Sequence, residues 1–241
     1  MMLFYFAALF TVALAKHVDL PYVALHNPDL FQGDIIGVED NDVRNARPDA
    51  AGRWPQGQVP YTVDFSLQMQ SNLIQSAMSH ITSATGRCIT FKQRQFDSNY
   101  IRFFKGEGCY SNVGRVGGAQ PLSLGNGCHY VGTIVHEILH ALGFYHEQNR
   151  SDRDQYLDIF WQNIQKGMES QFAKLAPHQN TLYTSFDYYS IMIYGEFAFS
   201  ISPGRSMTMK AKQAGIRVQE PYTKQGMTQS DVTRIKKMYG C

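Results

Sequence analysis

Apolar residues alternate along Val59-Pro-Tyr-Thr-Val-Asp-Phe65, the period-two pattern of a strand with one buried face. Over residues 67–84 the period lengthens. Leu73, Ile74, Met78 and Ile81 recur at helical spacing and predict a helix. Ile89-Thr-Phe-Lys92 and Tyr100-Ile-Arg-Phe-Phe104 predict two further strands, and the glycine-rich stretch 106–118 predicts a loop. Ala119-Gln-Pro-Leu-Ser-Leu124 reads as an edge strand, because its proline lacks the N–H that a central strand donates. Residues 130–142 predict a helix. Residues 158–175 predict another, with Ile159, Phe160, Ile164 and Met168 facing inward, and residues 229–238 predict a last one. The N-terminal half is therefore mixed α/β, and the C-terminal half is sparse in regular structure.

The N-terminus departs from this pattern. Leu3-Phe-Tyr-Phe-Ala-Ala-Leu-Phe10 is a continuous apolar run, followed by Ala13-Leu14-Ala15. A small-x-small sequence after such a run predicts a signal peptide over 1–15, cleaved after Ala15. The run is shorter than the ~20 residues of a membrane span, and no other segment suits, so no membrane anchor is expected. The 241 residues carry a formal net charge of +2, which leaves no basic footprint for nucleic acid. Residues 45–241 suffice for one domain with its own core. Four cysteines, Cys88, Cys109, Cys128 and Cys241, agree with export, and three pairings are open to them. None is spaced as C-x-x-C, which argues against a zinc–cysteine site.

The chemistry concentrates in His136-Glu-Ile-Leu-His140-Ala-Leu-Gly143-Phe-Tyr-His146. His136 and His140, four residues apart, share one helix face, so two imidazoles can reach one metal ion. Glu137 stands beside the first ligand, where a carboxylate can take a proton from water at the metal. Gly143 can adopt the left-handed conformation that ends a helix, after which His146 can turn back as a third nitrogen ligand. Three nitrogens and an open position describe a catalytic zinc site rather than a closed structural one. The remaining histidines, His17, His26, His80, His129 and His178, lack metal spacing and read as ordinary.

The long histidine motif is the signature of the metzincin proteases. With the following His146-Glu-Gln-Asn-Arg-Ser-Asp-Arg-Asp154 and the downstream Ser190-Ile-Met192-Ile-Tyr194-Gly195, the chain resembles the astacin family of secreted zinc endopeptidases in its minimal single-domain form, from about residue 45 to 241. The resemblance implies an α+β, two-lobed metzincin-like fold with a mostly parallel mixed sheet and one Zn2+ per chain. It makes Met192 the methionine turn beneath the zinc and Tyr194 a switchable fifth ligand that later stabilises the oxyanion. Ile193 departs from the histidine common there, at a position that is not a ligand. The implied disulfides are Cys88–Cys241 and Cys109–Cys128.

Residues 16–44 then read as a pro-segment. Phe31-Gln-Gly33-Asp34-Ile35 is an ordinary turn sequence by composition, but it resembles the family's zymogen latch, with Asp34 on the zinc. Activation is expected from a trypsin-like protease cutting after Arg44, with Arg47 as competitor. The new N-terminus, Asn45, would then lie near Glu147. Pro221 matches a position lining the pocket for the residue after the scissile bond, which implies small or neutral side chains there, although the nearby Arg217 and Lys224 leave room for another preference. Asn149-Arg-Ser151 is a glycosylation sequon behind the third ligand, where modification or steric blockage are both open. The expected protein is a secreted, monomeric endopeptidase acting on proteins or peptides. The alternative is an inactive secreted binding protein or toxin on the same scaffold, which would require a missing ligand or base.

Overall fold

The computed structural model describes residues 20–37 and 52–241 of the chain. The expected signal peptide, His17, both candidate activation arginines and Asn45 lie outside the described residues.

The N-terminal half is a five-stranded sheet backed by two helices. The strands are β1 (Gln58–Val63), β2 (Thr90–Gln93), β3 (Tyr100–Phe104), β4 (Cys109–Ser111) and β5 (Ala119–Leu124), in the order β2-β1-β3-β5-β4. All neighbours are parallel except β4, which runs antiparallel to β5. Helix α2 (Ser71–Ala84) provides the crossover that lets β1 and β2 run parallel. Ile74, Ala77, Met78 and Ile81 of α2 are buried together with Val59, Ile101, Phe103, Leu122 and Leu124 from the sheet.

Helix α3 (Val131–Leu142) is buried along nearly its whole length, as expected of a helix that is apolar all round. Its polar members, His136, Glu137 and His140, are therefore forced to find partners inside the protein. The α3 C-terminus is closed by Gly143 at φ 114°, whose N–H reaches the carbonyl of His140. A side chain at that angle would be strained, so the turn that redirects the chain toward His146 depends on glycine. Trp54 fastens the incoming chain to the same helix end, its Nε1 donating to the Ala141 carbonyl at 2.8 Å.

Four elements differ from the pattern-based expectations. Residues 158–175 do not form a helix. Leu157–Ile159 is a short strand, β6, antiparallel to β7 (Met209–Ala211), followed by 3-10 turns at Trp161–Asn163 and Glu169–Phe172. The apolar spacing there serves other partners: Ile164 bridges to Ser200, and Gly167 at φ 89° interrupts any helix. The helix expected over 67–84 begins only at Ser71, after a 3-10 segment, Phe65–Gln70, kinked at Leu67. The stretch 106–118 is not all loop, since it contains β4. Finally, β5 is not an edge strand, because it pairs with β3 along 119–123 and with β4 along 122–124. Pro121 is tolerated just outside the stretch that β4 covers.

The C-terminal half is mostly irregular and ends in helix α4 (Gln229–Tyr239). A capping box between Thr228 and Asp231 starts α4, and Gly240 ends it. Cys88 pairs with Cys241, and Cys109 pairs with Cys128. No helix among the described residues is long and apolar enough to cross a membrane.

Residues 20–37 lie against this body. They begin with the short helix α1 (Leu20–Leu25) and end at the outer edge of the sheet. There the Ser111 N–H donates to the Asp34 carbonyl at 2.9 Å, and the Ile36 N–H donates to the Ser111 carbonyl at 3.0 Å. The open side of β4 is thus covered by the segment that carries Asp34.

The Cys88–Cys241 bond closes a loop spanning 153 positions, so its loss frees much chain entropy in the unfolded state. Replacing both residues by serine is expected to lower the unfolding free energy by about 4–5 kcal/mol in urea titrations.

Candidate metal centre

Helix α3 carries His136 and His140 on one face, and the chain turned by Gly143 brings His146 to them. The Nε2 atoms of His136 and His140 are 3.1 Å apart, and those of His136 and His146 are 3.2 Å apart. All three rings are buried. Two of the outer nitrogens are held by this body of the chain: His136 Nδ1 meets the Ile191 carbonyl at 2.7 Å, and His140 Nδ1 meets the Phe144 carbonyl at 2.7 Å. The third, His146 Nδ1, meets Gln32 Oε1 of the 20–37 segment at 2.9 Å. A carbonyl can only accept, so each Nδ1 carries the proton and each Nε2 lone pair faces inward.

Burial holds His136 below its ordinary pKa and brings His146 down to about 3, so these two imidazoles stay neutral. Neutral nitrogens with converging lone pairs are a cation site. Zinc–nitrogen bonds of ~2.05 Å in a tetrahedron place the nitrogens about 3.3 Å apart, close to the spacing here. The donor set therefore fits zinc.

Asp34 completes the cluster. Its Oδ2 lies 3.0 Å from His136 Nε2 and 3.2 Å from His146 Nε2, and its Oδ1 lies 3.3 Å from His140 Nε2. One donor atom from each of the four residues falls within 4.8 Å of the others. Burial would raise the Asp34 pKa, but His146 and His140 outweigh it and hold the carboxyl well below the usual carboxylate range. Tyr194 donates its hydroxyl to Asp34 Oδ2 at 2.5 Å, with the Leu25 carbonyl a second acceptor at 3.2 Å. Burial, then the Asp34 charge, push that phenol well above its ordinary pKa, so it keeps its proton.

Glu137 is fully buried and neither carboxyl oxygen has a hydrogen-bond partner. Burial first, then the negative charge of Asp34, raise its pKa well above the ordinary value. A buried carboxyl without partners beside a metal set is costly to keep unless it has chemistry to perform.

The turn around Met192 is held from two sides. Asp231 accepts from Ser190 Oγ at 2.6 Å and from the Ile191 N–H at 2.9 Å. Lys224 Nζ donates to the carbonyls of Ser190 at 2.7 Å and Ile193 at 3.1 Å, and burial lowers its pKa to about 8. Met192 is buried, and its carbonyl accepts from the Glu147 N–H at 2.8 Å, tying the turn to the residue after His146. Glu147 itself is buried, accepting from Arg150 at 2.9 Å and Arg234 at 2.5 Å.

One of the histidines read as ordinary belongs to the site's surroundings. His26 is buried against Tyr194, with ring centroids 4.6 Å apart, and also against Tyr22 and Phe199. Apart from Tyr22, one helical turn away, its neighbours come from distant parts of the chain, so spacing carried no signal for it. Gln32, at φ 52°, is a second residue that motif spacing missed.

Comparison with known proteins agrees with this geometry. Residues 46–240 match the family model described as Astacin, a peptidase family. The chain is 37% identical to zinc metalloproteinase nas-15 of Caenorhabditis elegans over 90% of its own length, but spans only 41% of that protein. It is 36% identical to astacin-like metalloprotease toxin 1 of Loxosceles intermedia, covering 88% of this chain and 81% of the toxin. Among solved structures it resembles high choriolytic enzyme 1, a hatching enzyme zinc-protease of the medaka fish Oryzias latipes. That match has a TM-score of 0.70 and 34% identity, covering 86% of this chain and 100% of the other.

The sequon at Asn149 is closed by the fold. Asn149 is fully buried, and its Nδ2 donates to the carbonyls of Gln171 at 2.9 Å and Ala173 at 2.8 Å. Protein from a glycosylating host is expected to carry no glycan there by intact mass. Asn149→Ala is expected to cost about 1–3 kcal/mol of stability by orphaning buried carbonyls.

Proposed function

Since the chain belongs to the astacin family of peptidases, we propose that it is a secreted zinc endopeptidase made as a zymogen, with residues 16–44 as its pro-segment and residues 45–241 as its catalytic domain. The observation that carries the latent state is the Asp34 carboxylate among the three Nε2 atoms, delivered by a segment N-terminal to the catalytic body. In that position it fills the place that water and a substrate carbonyl need.

His136, His140 and His146 would hold the zinc. Bound zinc supplies Lewis acidity, which acidifies water and polarises a peptide carbonyl. Everything else is work for this chain's own side chains. Glu137 takes the proton from water and delivers it to the leaving amine, a role suited to a carboxyl whose burial raises its proton affinity. Tyr194, freed from Asp34, keeps its phenolic proton and donates it as a hydrogen bond to the developing oxyanion. Met192 and its turn fix Ile191, whose carbonyl orients His136.

Activation follows from the same contacts. A trypsin-like cut after Arg44 frees the segment, Asp34 and Gln32 leave, and Asn45 becomes the new N-terminus in the neighbourhood of Glu147. The apolar leader and the two disulfides support export, and the substrates are proteins or peptides outside the cell.

The full chain is expected to cleave a denatured protein only after trypsin treatment, and to lose that activity with a zinc chelator. Glu137→Ala should reduce the activity by about 10²–10⁴-fold. Asp34→Ala should give activity before any trypsin is added. Zinc-loaded, correctly trimmed protein that cleaves nothing would instead favour an inactive binding protein on this scaffold.

A further inference from the structure

His26 occupies a pocket one aromatic ring away from the metal centre. Its imidazole lies against Tyr194 and Phe199, and Tyr194 in turn packs on His146 with centroids 4.3 Å apart. The outer nitrogen of His26, Nε2, points at the carboxylate of Glu220, 3.6 Å from Oε2. Glu220 is 9% exposed even with the segment in place, and Oε2 has no hydrogen-bond partner.

The carboxylate is held where it is by close packing. A Cβ on Gly195, the residue after Tyr194, would come within 2.6 Å of Glu220 Oε1, so glycine is what lets the carboxyl approach the backbone beside the site. Among the other charged groups nearby, Lys224 lends its charge to Glu220 but directs its N–H groups elsewhere. Lys224 donates to the carbonyls of Ser190 and Ile193. Glu196 accepts from the Val218 N–H and lies 3.8 Å from Arg217. A carboxylate buried to this degree with a free oxygen is stabilised by any donor that reaches it and penalised by an apolar group that shuts it from water.

In the latent chain the group that faces this oxygen is a histidine on the segment that must leave; its Nδ1 bonds the Tyr22 carbonyl at 2.8 Å, and at 3.6 Å its Nε2 makes no hydrogen bond to the carboxylate. We propose that Glu220 determines substrate preference: the pocket filled by His26 before activation takes, afterwards, a peptide side chain ending in a basic nitrogen, whether imidazole, ammonium or guanidinium. The pro-segment then blocks the enzyme twice, with Asp34 at the metal and His26 standing in for a substrate side chain. This differs from the small or neutral preference expected from Pro221, because the neighbouring carboxylate, not the proline ring, supplies the polar contact. The inference rests on the endopeptidase reading above.

The test uses the full chain activated by trypsin, with trypsin then blocked by a serine-protease inhibitor. A peptide library is digested, and the cleavage sites that a zinc chelator abolishes are mapped by mass spectrometry. At one fixed position relative to the scissile bond, Lys, Arg or His should be favoured over Met, Leu or Ala by about tenfold or more, the scale of a charge-assisted hydrogen bond. In Glu220→Gln, which keeps the side-chain shape, that preference should fall below about twofold, the scale left to shape alone. A preference that survives Glu220→Gln overturns the assignment. So does a wild-type map with no basic position, which decides the matter whether or not the variant folds. Activated wild-type protein that cuts no peptide at all would instead overturn the endopeptidase reading itself.

Discussion

Everything around the site depends on three imidazoles being buried with their lone pairs turned toward one point. Nitrogen lone pairs converging about 3 Å apart repel unless a cation or a proton donor sits between them, so the surrounding structure must hold them there. It does so with backbone carbonyls, which cannot donate and therefore fix the proton on each outer nitrogen they meet. Two of those carbonyls come from different parts of the chain, Phe144 at the helix end and Ile191 in the turn before Met192. The geometry of the turn is consequently part of the geometry of the metal set. Asp231 and Lys224 clamp the turn and so act on His136 at one remove.

The third imidazole is held differently. His146 makes its outer hydrogen bond to Gln32, on the same segment that places Asp34 among the nitrogens and His26 beside Tyr194. Three features of one short segment therefore touch a metal ligand's outer face, the metal position and a neighbouring pocket. Backbone pairing with Ser111 fixes the segment's register on the sheet edge. In the zymogen reading, release of that segment changes the metal position and the neighbouring pocket together.

Much of this was legible in the sequence, and the exceptions share one cause. The i, i+4 pair in α3 and the glycine turn leading to His146 are local, so spacing was enough to place them on one metal. The strands β1 and β3 and the helix α4 follow their apolar periods for the same reason. The meeting of Asp34 and Tyr194 joins residues 160 positions apart, which no local pattern encodes. Only resemblance to a family pointed to it. The helix expected over 158–175 failed because Leu157 and Ile159 pair with β7 and Ile164 bridges to Ser200, partners far along the chain. The strand β4 is three residues long, too short to show a period, and its place is fixed by β5 and the Cys109–Cys128 bond. His26 was passed over because its partners, Tyr194, Phe199 and Glu220, are all distant in sequence.

Zinc K-edge X-ray absorption on the zinc-loaded full chain tests the central claim most directly. Three imidazole nitrogens at about 2.0–2.1 Å with additional oxygen are predicted, and in Asp34→Ala the imidazole scattering should persist while the oxygen shell changes. Fewer than three imidazoles, or a shell that Asp34→Ala leaves untouched, would contradict the account.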